Sequence, residues 1–358
     1  MKLRIGSSPN RLGVSFLPLV LPMVALAQTV PAVTVSPLAG FGGGDGWLAP
    51  GEGGYTYLGT GNLERGMAFG NGNLYLVSRN GGNNVRILNG STGADVGALD
   101  TTGVTGGTFA VNMVGVGGDG SVYVGNLTTA AGTPFKVYQW TSDTAAPSVA
   151  YSVNPGLPRI GDSLAVTGSG NSTIIAASGT GSSGFATFTG GVGTAVSVAG
   201  TAAGDYRLGL TFVDPGVLVG TQGGSWKVTQ FSGNAGTLVF SLPTTSASER
   251  LMAYDLVGGF PLLATTDTVT SQVRIYDVSN PAQPTLLTSA NNTSGTLAAN
   301  GNGVGAMSWG TLPDGTKVLY AMSANQGIQA FAVTVPEPGT YALVAAGLGA
   351  LWAIRRRR

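Results

Sequence analysis

The sequence predicts an all-β fold, a six-bladed β-propeller, on three observations. Glycine supplies 60 of 358 residues. Charged residues make up 9% of the chain, against about 25% in an ordinary globular protein. An apolar four-residue strand signature recurs six times, each copy set in the same order of strands and tight turns. Glycine in a helix interior costs about 1 kcal/mol, whereas short strands joined by tight turns need residues that accept positive φ. The apolar fraction of 43% excludes a disordered chain.

In chain order, residues 1–27 carry the pattern of a secretory signal. Lys2, Arg4 and Arg11 form a basic lead, an apolar run follows over 12–26, and Ala25-Leu26-Ala27 offers a small-residue cleavage site for signal peptidase. Pro18 and Pro22 argue against a buried helix there. Residues 28–54 read as a Gly-rich lead-in, and 55–335 as the propeller.

The six signatures begin at Leu74, Val122, Ile174, Val217, Leu262 and Leu319. Each is preceded by a strand (66–69, 110–116, 163–167, 208–213, 251–256 and 306–309) and by turn residues such as Asn71-Gly72-Asn73, Gly118-Asp119-Gly120, Asp214-Pro215-Gly216 and Asp314-Gly315. A third strand follows at 85–88, 136–140, 226–229 and 273–276, then a looser fourth at 96–99, 149–153, 238–242 and 285–287. Four antiparallel strands at this period are the mark of a propeller. The last unit lacks its fourth strand, and Tyr55-Thr56-Tyr57-Leu58 is expected to supply it, closing the ring and removing an open edge.

The C-terminus has three parts: Pro336, Glu337 and Pro338, then an apolar stretch over 341–354, then Arg355, Arg356, Arg357 and Arg358. As a helix the apolar stretch spans about 21 Å, short of a bilayer core of about 30 Å unless flanking residues and snorkelling arginines extend it. These residues resemble the PEP-CTERM sorting signal of Gram-negative envelope proteins. That resemblance implies a transmembrane tail held transiently in the inner membrane, recognised and removed by an exosortase-type membrane protease. It also implies delivery of the body to the cell surface or the extracellular space, often in connection with exopolysaccharide. The body is similar to an uncharacterised domain found in exported bacterial proteins with this tail.

Composition limits the chemistry. With neither His nor Cys, the chain has no disulfide, no thiol nucleophile, no Ser-His-Asp triad and no imidazole or thiolate metal site; no cofactor is expected. Residues 28–335 carry 10 basic and 15 acidic side chains, a net charge of −5, so a nucleic-acid partner is excluded.

One positional pattern points to a site. Arg65, Arg159, Arg207 and Arg250 each stand just before or at the start of a first strand, the strand that lines a propeller's channel. Together they are expected to form a partial ring at one mouth. Two readings stay open: capture of carboxylate or sulfate groups on an acidic polysaccharide, or ion pairs with the neighbouring Glu64, Asp162, Asp205 and Glu249 that staple adjacent blades. Paired carboxylates for a glycan hydrolase or lyase are the alternative class, set against acidic residues that fall mostly in turns, where Asp bonds its own backbone. Gly42 to Gly46 with Glu52 offers oxygen ligands to calcium but lacks a specific spacing. Trp47, Trp140, Trp226 and Trp309 suit either sugar stacking or burial between blades. The expectation is a non-enzymatic exported surface or matrix protein.

Overall fold

Alternation of short apolar runs with Gly-bearing turns folds residues 32–335, the part of the chain that the computed structural model describes, into a succession of antiparallel meanders. Residues 1–27, read above as a secretory signal, Pro336 to Pro338 and the terminal arginines lie outside the described residues. Two short strands come first, β1 (Thr34–Pro37) and β2 (Trp47–Leu48). The first meander is β3 (Glu64–Gly70), β4 (Asn73–Ser78), β5 (Asn84–Asn89) and β6 (Asp95–Ala98). The second is β7 (Phe109–Val116), β8 (Val122–Leu127), β9 (Lys136–Trp140) and β10 (Ser148–Ser152). The third is β11 (Ser163–Thr167), β12 (Ile174–Ser178), β13 (Gly184–Thr189) and β14 (Val192–Ala199). The fourth is β15 (Gly209–Asp214), β16 (Val217–Thr221), β17 (Ser225–Ser232) and β18 (Ala235–Pro243). The fifth is β19 (Glu249–Val257), β20 (Phe260–Asp267), β21 (Val273–Asp277) and β22 (Thr285–Ala290). The chain ends in β23 (Gly305–Thr311), β24 (Lys317–Ser323) and β25 (Ile328–Thr334).

The recurring signature is the second strand of each meander, and burial explains its composition. β8 is buried at every residue, and β4, β12, β16 and β24 at every residue but the first. A strand covered on both faces reads as a continuous apolar run. The fourth strands are covered on one face only, and β18 alternates exposed and half-buried residues along its whole length.

The first strands, β3, β7, β11, β15, β19 and β23, pack in sequence around a ring, with β23 against β3. They enclose a channel of about 470 Å³ lined by residues such as Met67, Val114, Ala165, Leu210, Ala253 and Met307. The apolar core lies between successive sheets. Tyr320 of β24 stacks on Phe69 of β3 at 5.5 Å, and Trp309 of β23 donates its indole N–H to the Ala253 carbonyl of β19 at 3.1 Å.

Two expectations are corrected. Hydrogen bonding makes four discrete blades and one eight-stranded sheet in place of six separate blades. The eight-stranded sheet arises where β14 of the third meander pairs in parallel with β18 of the fourth, Ser197 opposite Ala235 and Ala199 opposite Thr237.

The closing strand is β1, not Tyr55 to Leu58. Thr34 stands opposite Thr334 and Pro37 opposite Phe331, and Pro37 is tolerated because β1 is an edge strand. Tyr55 to Leu58 instead form a turn after three glycines with left-handed φ, Gly51 (77°), Gly53 (64°) and Gly54 (75°). Leu58 is buried there and Tyr55 stacks on Tyr57 at 5.2 Å. The segment read as a Gly-rich lead-in is thus structural, with Phe41 and Leu48 also in the core.

Candidate functional site

Every meander begins its first strand at the same end of the channel, so residues preceding those strands converge there. Because the second strand runs back antiparallel, the residue just after it returns to the same end. These two rules assemble a cavity of about 180 Å³ lined by Arg65, Arg79, Phe109, Asn112, Leu127, Arg159, Asp162, Arg207, Asn302 and Val304. Arg65, Arg159 and Arg207 are brought together as the sequence predicts. Arg250 is not in the lining; it packs beneath the 291–304 connection against Gly303, where a Cβ would clash with the guanidinium Nη1, so no side chain fits there.

Arg79 is the residue that sequence reasoning missed. It follows β4 directly, and the return of the second strand to the arginine mouth is the signal that identifies it. Its guanidinium carbon lies 3.4 Å from the centroid of the Phe109 ring. It donates to Asn112 Oδ1 and, at 3.4 Å, to the Val111 carbonyl. Asn112 in turn donates to the Gly161 carbonyl, fixing its amide.

The arginines divide by partner. Asp162, 4% exposed, receives two bonds from Arg159, Nε at 2.5 Å and Nη2 at 2.6 Å, and one from Arg207 Nε at 3.2 Å. Arg159 and Arg207 come from the approaches to β11 and β15, so this carboxylate joins neighbouring meanders. Its pairing raises the Arg159 guanidinium above its ordinary range.

Among the described residues, neither Arg65 nor Arg79 has a carboxylate within salt-bridge distance. Arg65 Nε is buried without a hydrogen-bond partner. Burial lowers both guanidiniums from their ordinary value, and repulsion from Arg65 and Arg159 adds to the effect at Arg79.

The other flanking carboxylates are engaged elsewhere. Glu64 Oε1 accepts from Gly59 N–H at 2.7 Å. Asp205 accepts from Ala202 N–H at 2.8 Å and pairs with Lys227 at 3.6 Å. Glu249, fully buried, accepts from Thr265 and, at 3.0 Å, from the Tyr276 hydroxyl, and faces Arg274 at 3.4 Å. Of the mouth arginines, carboxylate stapling therefore describes Arg159 and Arg207 only.

The remaining candidates resolve into packing. Trp140, Trp226 and Trp309 are buried, and Trp47, half-buried, donates its indole N–H to the Gln326 carbonyl at 2.9 Å. Asp45 and Glu52 in the Gly-rich turns accept backbone N–H groups of Trp47 and Ala49, each at 2.8 Å. Among the described residues no helix is long and apolar enough to cross a membrane; the apolar tail is outside them.

An all-β, propeller-like protein with a cationic cavity at one channel mouth is the class that this fold and site define. The chain belongs to the family described as a domain of unknown function, DUF4623, which matches residues 51–248. Residues 334–358 match the PEP-CTERM protein-sorting motif, which marks the chain for export and cell-envelope sorting through exosortase-type machinery.

Among solved structures, the chain is similar to a DUF4623 family protein from Bacteroides eggerthii, at 16% identity over 77% of this chain and 72% of that one, with a TM-score of 0.59. It also matches the major allergen Mala s 1 of Malassezia sympodialis at 12% identity over 76% of this chain and 92% of that one, TM-score 0.46. A periplasmic gluconolactonase of Pseudomonas aeruginosa matches at 13% identity over 75% and 80%, TM-score 0.45. At 16% identity the likeness to the DUF4623 structure is one of fold. No curated relative matches the chain.

Proposed function

We propose that this is an exported, surface-sorted binding protein that captures an anionic group of extracellular polysaccharide at the arginine mouth, without catalysing a reaction on it. The observation that carries the reading is the surplus of cations in the cavity. Four arginines line it against one carboxylate, and that carboxylate is already shared by Arg159 and Arg207. A partly buried guanidinium without a counterion is costly, and an anion entering the cavity relieves that cost at Arg65 and Arg79. The rest of residues 28–335 is acidic on balance, which sets this cationic mouth apart from it.

Hydrolysis by two carboxylates needs a second acid near the first, and Asp162 is the lone carboxylate among the described lining residues. Incubating the exported protein with an acidic exopolysaccharide tests both points. Binding is expected to raise the melting temperature with the logarithm of ligand excess over Kd, with no new reducing ends. Loss of the shift in the Arg65→Gln/Arg79→Gln double variant supports the site. An unchanged shift in that variant removes the cavity from the reading, and release of reducing ends or unsaturated products replaces it with the enzymatic alternative.

A further inference from the structure

The arginine cavity has features that specify its anion further. We propose that it takes a single hexuronic acid residue, with the sugar carboxylate between Arg65 and Arg79 and one face of the ring against Phe109. The inference rests on the anion-binding reading above and names the substrate class.

Three features carry it. The first is size: about 180 Å³ is room for about six waters, which suits one pyranose ring and not two.

The second is the match of donors to charge. Guanidinium N–H pairs meet the two coplanar oxygens of a carboxylate in a parallel fork, and Arg65, which lines the cavity, makes no ion pair among the described residues. Asp162 in the same cavity opposes a doubly charged phosphate about twice as strongly as a singly charged carboxylate. It also keeps lone pairs able to accept from a ring hydroxyl.

The third is an apolar and amide rim. Phe109 is 43% exposed although it lines the cavity. Arg79 covers one face of that ring at 3.4 Å, so the exposed remainder of the ring is the aromatic surface left for the C–H groups of a sugar, fixed relative to the guanidinium. Asn302, exposed at the rim, makes no side-chain hydrogen bond among the described residues and offers both a donor and an acceptor to ring hydroxyls. A simple inorganic anion uses neither group.

The test compares galacturonic acid tetramer, neutral galactose tetramer, a sulfated galactose tetramer, acetate and sulfate, by calorimetry on the exported protein. The uronate tetramer is expected to bind about tenfold more tightly than any other probe, and Arg65→Gln to remove that advantage. Asn302→Ala is expected to weaken the uronate about threefold while leaving acetate unchanged, a split that a general loss of fold does not produce. If acetate or sulfate binds and the uronate is no tighter, or if the sulfated tetramer binds best, the uronic acid assignment falls and the anion site stands. If no anionic probe binds, both readings fall together.

Discussion

The two mouths of the channel are built by the same topology and treat their charges differently. At the turn mouth, where first strands hand over to second strands, Asp119, Asp214 and Asp314 each accept N–H groups from their own turns. Asp119 Oδ1 takes Ser121 N–H at 3.0 Å, Asp214 Oδ1 takes Gly216 N–H at 2.7 Å, and Asp314 Oδ1 takes Thr316 N–H at 2.9 Å. Those carboxylates are used by their own turns, as turn chemistry requires, and Asp119 Oδ2 also takes Gly170 N–H of the next meander at 3.0 Å. At the arginine mouth the charges come from long side chains, and only Arg159 has a carboxylate acceptor close in sequence, Asp162 three residues on. Asp162 satisfies two of them, and two are left over. The lesson is that a charge near a channel indicates a site only where its neighbours fail to use it.

The sharpest way to break this contrast is at its one shared carboxylate. Asp162→Asn leaves Arg159 and Arg207 without their counter-charge. It is expected to cost about 2–3 kcal/mol, less than a fully buried pair because both arginines keep some solvent contact, and to lower Tm by about 5 °C. A smaller loss shows that the pairing is not what joins the third and fourth meanders.

Removing a left-over cation should not destabilise the fold. Arg65→Gln is expected to change stability by no more than about 0.5 kcal/mol while reducing anion affinity, so a large loss of stability makes Arg65 a structural residue.

The turn mouth is predicted to differ in its pH response. Burial pushes the Asp119 carboxyl upward, but the N–H groups of Ser121 and Gly170 outweigh it and hold the group below its ordinary value; Asp314 is held low by Thr316. Folded values below the unfolded one mean stabilisation that is fully present above about pH 4 and is lost as pH falls through the lowered values. Asp119→Asn is therefore expected to be slightly less stable at pH 7, by well under about 1 kcal/mol because the carboxylate is largely exposed and screened, and to converge with the parent in acid, as read from denaturant melts across that range.

The smallest effect is expected at Arg250. Outside the cavity lining, Arg250→Gln should leave anion affinity within about twofold; a greater loss extends the site beneath the 291–304 connection.

How much of this was legible in the sequence follows from which interactions are local. The second strands announced themselves because burial on both faces leaves an uninterrupted apolar run, and Arg65, Arg159 and Arg207 because their position repeats. In the third meander, Gly184–Thr189 and Val192–Ala199 gave no comparable third and fourth strands, since Gly, Ala and Thr there dilute the apolar pattern. The parallel pairing of β14 with β18 was hidden, because contact between strands of different meanders leaves no periodic trace. Closure was assigned to the wrong segment for a related reason. Tyr55 to Leu58 and Thr34 to Pro37 both offer short mixed strands, and only the pairing partner at the far end of the chain distinguishes them. Arg79 was missed because it belongs to the return of a second strand, a position that repeats in topology but not in residue type.

Closure by β1 also orients the molecule. With Thr34 opposite Thr334, the first and last described strands begin and end side by side, and Val335 lies 3.5 Å from the position a Cβ on Gly258 would occupy, at the turn between β19 and β20. Thr34 and Val335, near the two limits of the described residues, therefore lie at the face opposite the arginines. A body tethered through either terminus would turn its cationic opening away from the tether, toward whatever lies beyond the surface that holds it.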